Sequence, residues 1–116
     1  MLCILITALA LTIPLQRPHL TLAQGIVESH CNPYAIGKAK EKGAYQVTEK
    51  YWGKVPQGHT AQAQQAEQIM NELLLASGND VSHALELYNG GESNKATRKY
   101  RQRVISKALE LAMLGE

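Results

Sequence analysis

An Asn-Pro step at residues 32 and 33 closes the first amphipathic segment of this chain, and the rest is arranged around that break. A proline pushes the residue before it out of helical backbone, so a helix arriving at Asn32 has to stop there. Upstream, Leu20, Ala23 and Val27, with Leu22 and Ile26 beside them, recur at helical spacing. Pro18 suits the first turn, where its missing N–H costs nothing. The helix therefore runs from about Pro18 and delivers Glu28 at its C-terminal end. A carboxylate there faces the negative end of the helix dipole, and apolar neighbours raise its pKa further. A raised pKa is what a general acid needs at neutral pH. Taken alone, a plain surface glutamate explains Glu28 better; the surrounding segments decide.

After a charged loop, Lys38 to Lys42, comes Gly43-Ala44-Tyr45-Gln46. Gly43 permits close approach of backbone or substrate, and Gln46 both donates and accepts a hydrogen bond, as an acetamido group demands. Thr48 to Gly53 reads as a short helix closed by glycine. Thr60 is placed to cap a helix through Ser77, with Ala63, Ala66, Ile69, Met70, Leu73 and Leu74 on one face. Asp80 caps the next, whose Val81, Ala84, Leu85 and Tyr88 share an inward face before Asn89-Gly90-Gly91 breaks it. A last helix spans about Asn94 to Met113 and turns Tyr100, Val104, Ala108 and Leu111 inward. Its basic residues read as a solvated face, a polyanion site being the minor alternative. The only strand-like stretch is Gly43 to Val47. The expected fold is mainly α, with at most a vestigial β element.

The 116 residues suffice for one domain. A net charge of +2 without a basic stripe argues against nucleic acid as a partner. The first fifteen residues are apolar and uncharged but too short to span a bilayer as a helix. Residues 1–17 are read as an export signal or N-terminal anchor, the one membrane link, and 18–116 as the functional domain. An N-terminal core helix is the competing reading. Cys3 and Cys31 fit no metal spacing, so no metal or cofactor is expected. Cys31 reads as a lone packed thiol, and His30 beside it does not make a dyad, because adjacent residues point apart.

In order along the chain, these pieces resemble the lytic transglycosylase SLT family, with its lysozyme-like muramidase fold. Glu28-Ser29 followed by Asn32-Pro33-Tyr34-Ala35 resembles its "ES…NPxA" motif, and Gly43-Ala44-Tyr45-Gln46 its "GLMQ" motif. Ala84 to Gly91 resembles "ALAAYNAG", and Thr97, Tyr100 and Val104 match the closing helix. Each motif is weak; four in order carry weight. Ala44-Tyr45 and Leu87 depart from the family pattern and alter the cleft lining.

The resemblance implies cleavage of peptidoglycan between N-acetylmuramic acid and N-acetylglucosamine, with Glu28 the sole catalytic acid/base. No other carboxylate stands out as the second one most glycosidases use: Glu41, Glu49, Glu86 and Glu92 lie in solvated-looking stretches and Asp80 serves as a cap. In the family the substrate's own acetamido oxygen assists, and the product is a 1,6-anhydro sugar. The same pattern implies Tyr88 orienting Glu28, Gln46 and Asn89 holding the acetamido group, and Ser29 and Tyr100 lining the cleft. A goose-type lysozyme-like hydrolase and a non-catalytic wall-binding module are the alternatives. An exported protein of the cell envelope or periplasm, or one carried on a virion, is expected, serving a secretion, conjugation or virion machine.

Overall fold

The computed structural model describes residues 15–114. The helices are α1 (Pro18–Ser29), α2 (Glu49–Trp52), α3 (His59–Ala76), α4 (Val81–Gly90) and α5 (Lys95–Leu114). Extended structure among the described residues is limited to two isolated antiparallel bridges, Ile36 to Lys42 and Lys42 to Val47. The fold is mainly α with a vestigial β element. No described helix is long and apolar enough to cross a membrane; the apolar N-terminal run lies outside the described residues.

Helix α1 is the buried axis. Its first three turns carry no acidic or Lys/Arg side chain, and Thr21, Leu22, Ala23, Gln24 and Gly25 are buried. It packs on α5 and α3, while α4 bridges those two. Ala23, Met70, Leu74, Ala84, Leu85, Tyr100 and Val104 form the core where these helices meet. A second cluster places Ala44, Tyr45 and Val47 against Ala63, Ala66 and Ile69 of α3.

The N–H groups at the start of α1 need partners, and Arg17 at the cap position offers no side-chain bond. Buried Glu67 of α3 supplies them, accepting from the backbone N–H of Gln16 and Arg17 at 2.8 Å each. A carboxylate at a helix N-terminus also suits the dipole. At the other end, His30 and Cys31 both take left-handed backbone (φ 56 and 62) and turn the chain out of α1. Their N–H groups close on Ile26 O and Gly25 O, each at 3.0 Å. Left-handed backbone costs a non-glycine residue about 1–2 kcal/mol, so the exit of the Glu28 helix is strained.

Asp80 caps α4 as expected, its Oδ1 accepting from His83 N at 3.1 Å. Asn94 and Thr97 exchange side-chain bonds at the start of α5, an arrangement that stands in for a capping box. Thr60 is not a cap: α3 starts one residue earlier, behind Gly58 at φ 92, a conformation that favours glycine. Val81 sits in the first turn of α4 and is 37% exposed rather than inward. Cys31 is buried as expected, but it is disulfide-bonded rather than a lone thiol. Glu86 is buried too: it accepts from the Ser93 hydroxyl and pairs with Arg101 Nε at 3.4 Å, tying α4 to α5.

Gln62 of α3, buried at 4% exposure, ties three loops together. Its Oε1 accepts from Ala44 N at 2.9 Å, and its Nε2 donates to Pro33 O at 3.1 Å and Pro56 O at 3.0 Å. Gly43 (φ 84) is required beside it, because an added Cβ would lie 2.8 Å from Gln62 Oε1. Gln62→Leu leaves a buried N–H and two carbonyls without partners, so it should lower urea-unfolding stability by about 3 kcal/mol. Exposed Gln68→Leu, on the same helix, should stay within about 0.5 kcal/mol of wild type.

Candidate active site

The site grows from the turn Gly43–Gln46, whose successive carbonyls are held by side chains from three directions. Gln46 Nε2 donates to Gly43 O at 3.0 Å. Ser29 Oγ, at the end of α1, donates to Ala44 O at 2.7 Å. Tyr88 Oη, from α4, donates to Tyr45 O at 2.7 Å. The flanking Lys42–Val47 bridge, with bonds of 3.0 and 2.9 Å, closes the base of the turn. Three candidate residues separated by up to fifty-nine positions therefore converge on one four-residue segment.

Glu28 stands one residue before Ser29 at this junction and is half-buried. Burial raises its carboxyl pKa to about 7, since taking it out of water disfavours the charged form. A hydrogen bond from the Tyr100 hydroxyl opposes the rise, the like charge of Glu41 adds to it, and Arg103 opposes it. Tyr88 and Tyr100 are both pushed well above the usual phenol range, first by burial and then by the negative charge of Glu28. Both therefore remain neutral O–H groups beside the carboxyl. Tyr100 in turn accepts from Gln24 Nε2 at 3.4 Å, a buried amide within α1. Near neutral pH such a carboxyl is populated in both protonation states, so it can give a proton and later take one. Tyr100 and Arg103 favour its ionised form once the proton has left.

The candidate residues are gathered, yet several have their donors committed. Gln46 holds left-handed backbone (φ 49), and besides Gly43 O its amide reaches Ala35 O at 3.4 Å. Ser29 also accepts from Asn32 N at 3.0 Å. Tyr88 directs its proton to Tyr45 O rather than to Glu28, so Tyr100 is the hydroxyl bonded to the acid. These three side chains brace the Gly43–Gln46 turn; Asn89 is exposed at the end of α4.

Two participants were missed in the sequence. Gln62, whose spacing reads as one more polar position on α3, sets the path of the loops. Glu41, read as part of a solvated loop, is a carboxylate whose charge acts on Glu28. It accepts from Ala39 N at 2.7 Å, and at Gly37 a Cβ would lie 2.7 Å from Glu41 Oε1 and 2.5 Å from Gln46 Oε1. Glu41 and Gln46 thus share one wall. Its loop carries no pattern that marks this; only the returning hairpin brings it there.

No group of three or more His, Cys, Asp or Glu side chains suited to a metal ion occurs among the described residues. Comparison with protein-family models, curated proteins and solved structures returns no match for this chain.

Two sets of measurements follow from this geometry. By NMR titration of the Glu28 side chain, Tyr100→Phe should raise its midpoint, because a bond favouring the carboxylate is lost. Glu41→Gln should lower it by removing a like charge. The second concerns stability: Glu28 binds its proton more tightly folded than unfolded. Its contribution is therefore fully favourable below about pH 4.5 and is lost as pH rises to about 7. The difference is about 3 kcal/mol, so Glu28→Gln should gain about that much at pH 8 relative to pH 4 against wild type.

Proposed function

We propose that this protein is a peptidoglycan lytic transglycosylase of lysozyme-like fold, with Glu28 as its one acid/base. The observation that carries the reading is the half-buried Glu28 carboxyl with a pKa near 7, beside the Tyr100 hydroxyl. The ordered likeness of its motifs to the SLT family, stated above from the sequence, supplies the reaction class.

In this mechanism protonated Glu28 gives its proton to the glycosidic oxygen between N-acetylmuramic acid and N-acetylglucosamine as the C–O bond breaks. The acetamido oxygen of the muramic residue stabilises the positive centre at C1. Ionised Glu28, held by Tyr100 and Arg103, then takes the proton of the muramic 6-hydroxyl, whose oxygen bonds to C1. A 1,6-anhydro end results, Glu28 regains its proton, and no water is consumed. The turn Gly43–Gln46 supplies the rigid floor and Asn89 an exposed amide at its edge. The domain would act within a secretion, conjugation or virion machine that opens the wall locally.

A hydrolase of the goose-lysozyme type is the second reading, and Glu41 favours it: its charge acts on Glu28, and a second carboxylate is what activating water in place of the 6-hydroxyl calls for. Mass spectrometry of digested muropeptides separates the two. Wild type should release anhydro-muropeptides, and Glu28→Gln should lower the rate at least about a hundredfold. Reducing ends would assign the hydrolase, and intact strands with wild type would leave a non-catalytic wall-binding module.

A further inference from the structure

An open groove of about 750 Å³ runs between the end of α1, at Ile26, Val27 and His30, and the outer face of α5. Its floor is apolar, made by Ile26 and Val27, and its rim carries His30, Lys99, Arg103 and Lys107. Lys99, Arg103 and Lys107 recur every four residues and so form one stripe along the helix. The only acid in the lining, Glu110, is paired with Lys107 at 2.9 Å. Lys99 has no ion-pair partner among the described residues. The structure thus divides the basic residues of α5: Arg101 turns to buried Glu86, while this stripe lines a groove whose Arg103 acts by its charge on Glu28.

We infer that this groove is a subsite for the peptide stems of the wall polymer, binding their carboxylates along the Lys99–Arg103–Lys107 stripe and their alanine methyls on Ile26 and Val27. The inference rests on the reading of peptidoglycan as substrate. A bare sugar chain is uncharged apart from its lactyl groups, and it gives a stripe of cations nothing to complement. A short peptide with free carboxylates and small apolar side chains matches both rim and floor. Arg103 joins the two regions, since it lines the groove and its charge acts on Glu28. A seated stem would therefore set the muramic residue that bears it in register with the acid.

Isothermal calorimetry on the full chain carrying Glu28→Gln, which spares the ligand, tests this. The probes are soluble glycan oligomers of equal length, with peptide stems or enzymatically stripped of them. At low salt the stem-bearing oligomer should bind about five- to tenfold tighter, the sum of a few solvent-exposed ion pairs. Adding Lys99→Gln and Lys107→Gln should bring that ratio close to one, as should raising the salt. Both lysines are at least partly exposed, so folding is not at stake, and circular dichroism checks it. A ratio near one in the parent, or a ratio unchanged by the two substitutions, overturns the subsite. Tighter binding of a glycerol-phosphate polymer through the same lysines also overturns it. Turnover plays no part in the assay, so a wild type that cleaves nothing removes the catalytic reading without deciding this ratio.

Discussion

Withdrawing a carboxyl group from water is costly unless it stays protonated, and the structure holds Glu28 where that cost is felt. Every neighbouring feature bears on this one group. The middle of helix α1, Thr21 to Gly25, is buried, and its last turn brings Glu28 in beside Tyr100 and Tyr88. Glu67 satisfies the helix start, and two left-handed residues turn the chain away at its end. The strain at His30 and Cys31 thus accompanies a helix that cannot continue and cannot fray without moving the acid.

The second constraint is the Gly43–Gln46 turn, tied to the end of α1 through Ser29. Four backbone groups from Gly43 to Tyr45 are bonded by side chains of Gln46, Ser29, Tyr88 and Gln62, one each from the hairpin, α1, α4 and α3. Such cross-bracing lets a segment with almost no regular β structure act as a rigid wall. It also accounts for Gly43, which only a residue without a side chain can occupy next to Gln62. Rigidity here serves catalysis of the proposed kind, because a proton donor misplaced by an ångström loses much of its effect.

The helices and most of their inward faces, Val81 excepted, were legible in the sequence, because helical periodicity, Asp80 and the Asn-Pro step report local backbone preferences. Helix α3 shows the limit: Thr60 looks like a cap, yet Gly58 starts the helix, since the left-handed approach is decided by the preceding turn. Gln62, Glu67 and Glu86 were illegible for a shared reason. Each is a polar residue at a helical position that reads as surface, and each is buried by a partner distant in the chain. Glu41 was missed because its loop has no periodicity; its charge matters only once the hairpin folds back. The disulfide at Cys31 likewise depends on tertiary structure rather than spacing.

Gln46, expected to hold the acetamido group, Ser29, expected to line the cleft, and Tyr88, expected to orient Glu28, each spend a donor on a carbonyl of the Gly43–Gln46 turn. In the proposed mechanism Glu28 is the one group whose proton moves, and Tyr100 and Arg103 favour its ionised form. NMR titration of the wild-type Glu28 side chain tests this claim most directly. A midpoint near pH 7 is the result the structure requires, whereas a midpoint near the ordinary value of 4.5 would mean that the carboxyl is solvated and that no general acid is held there.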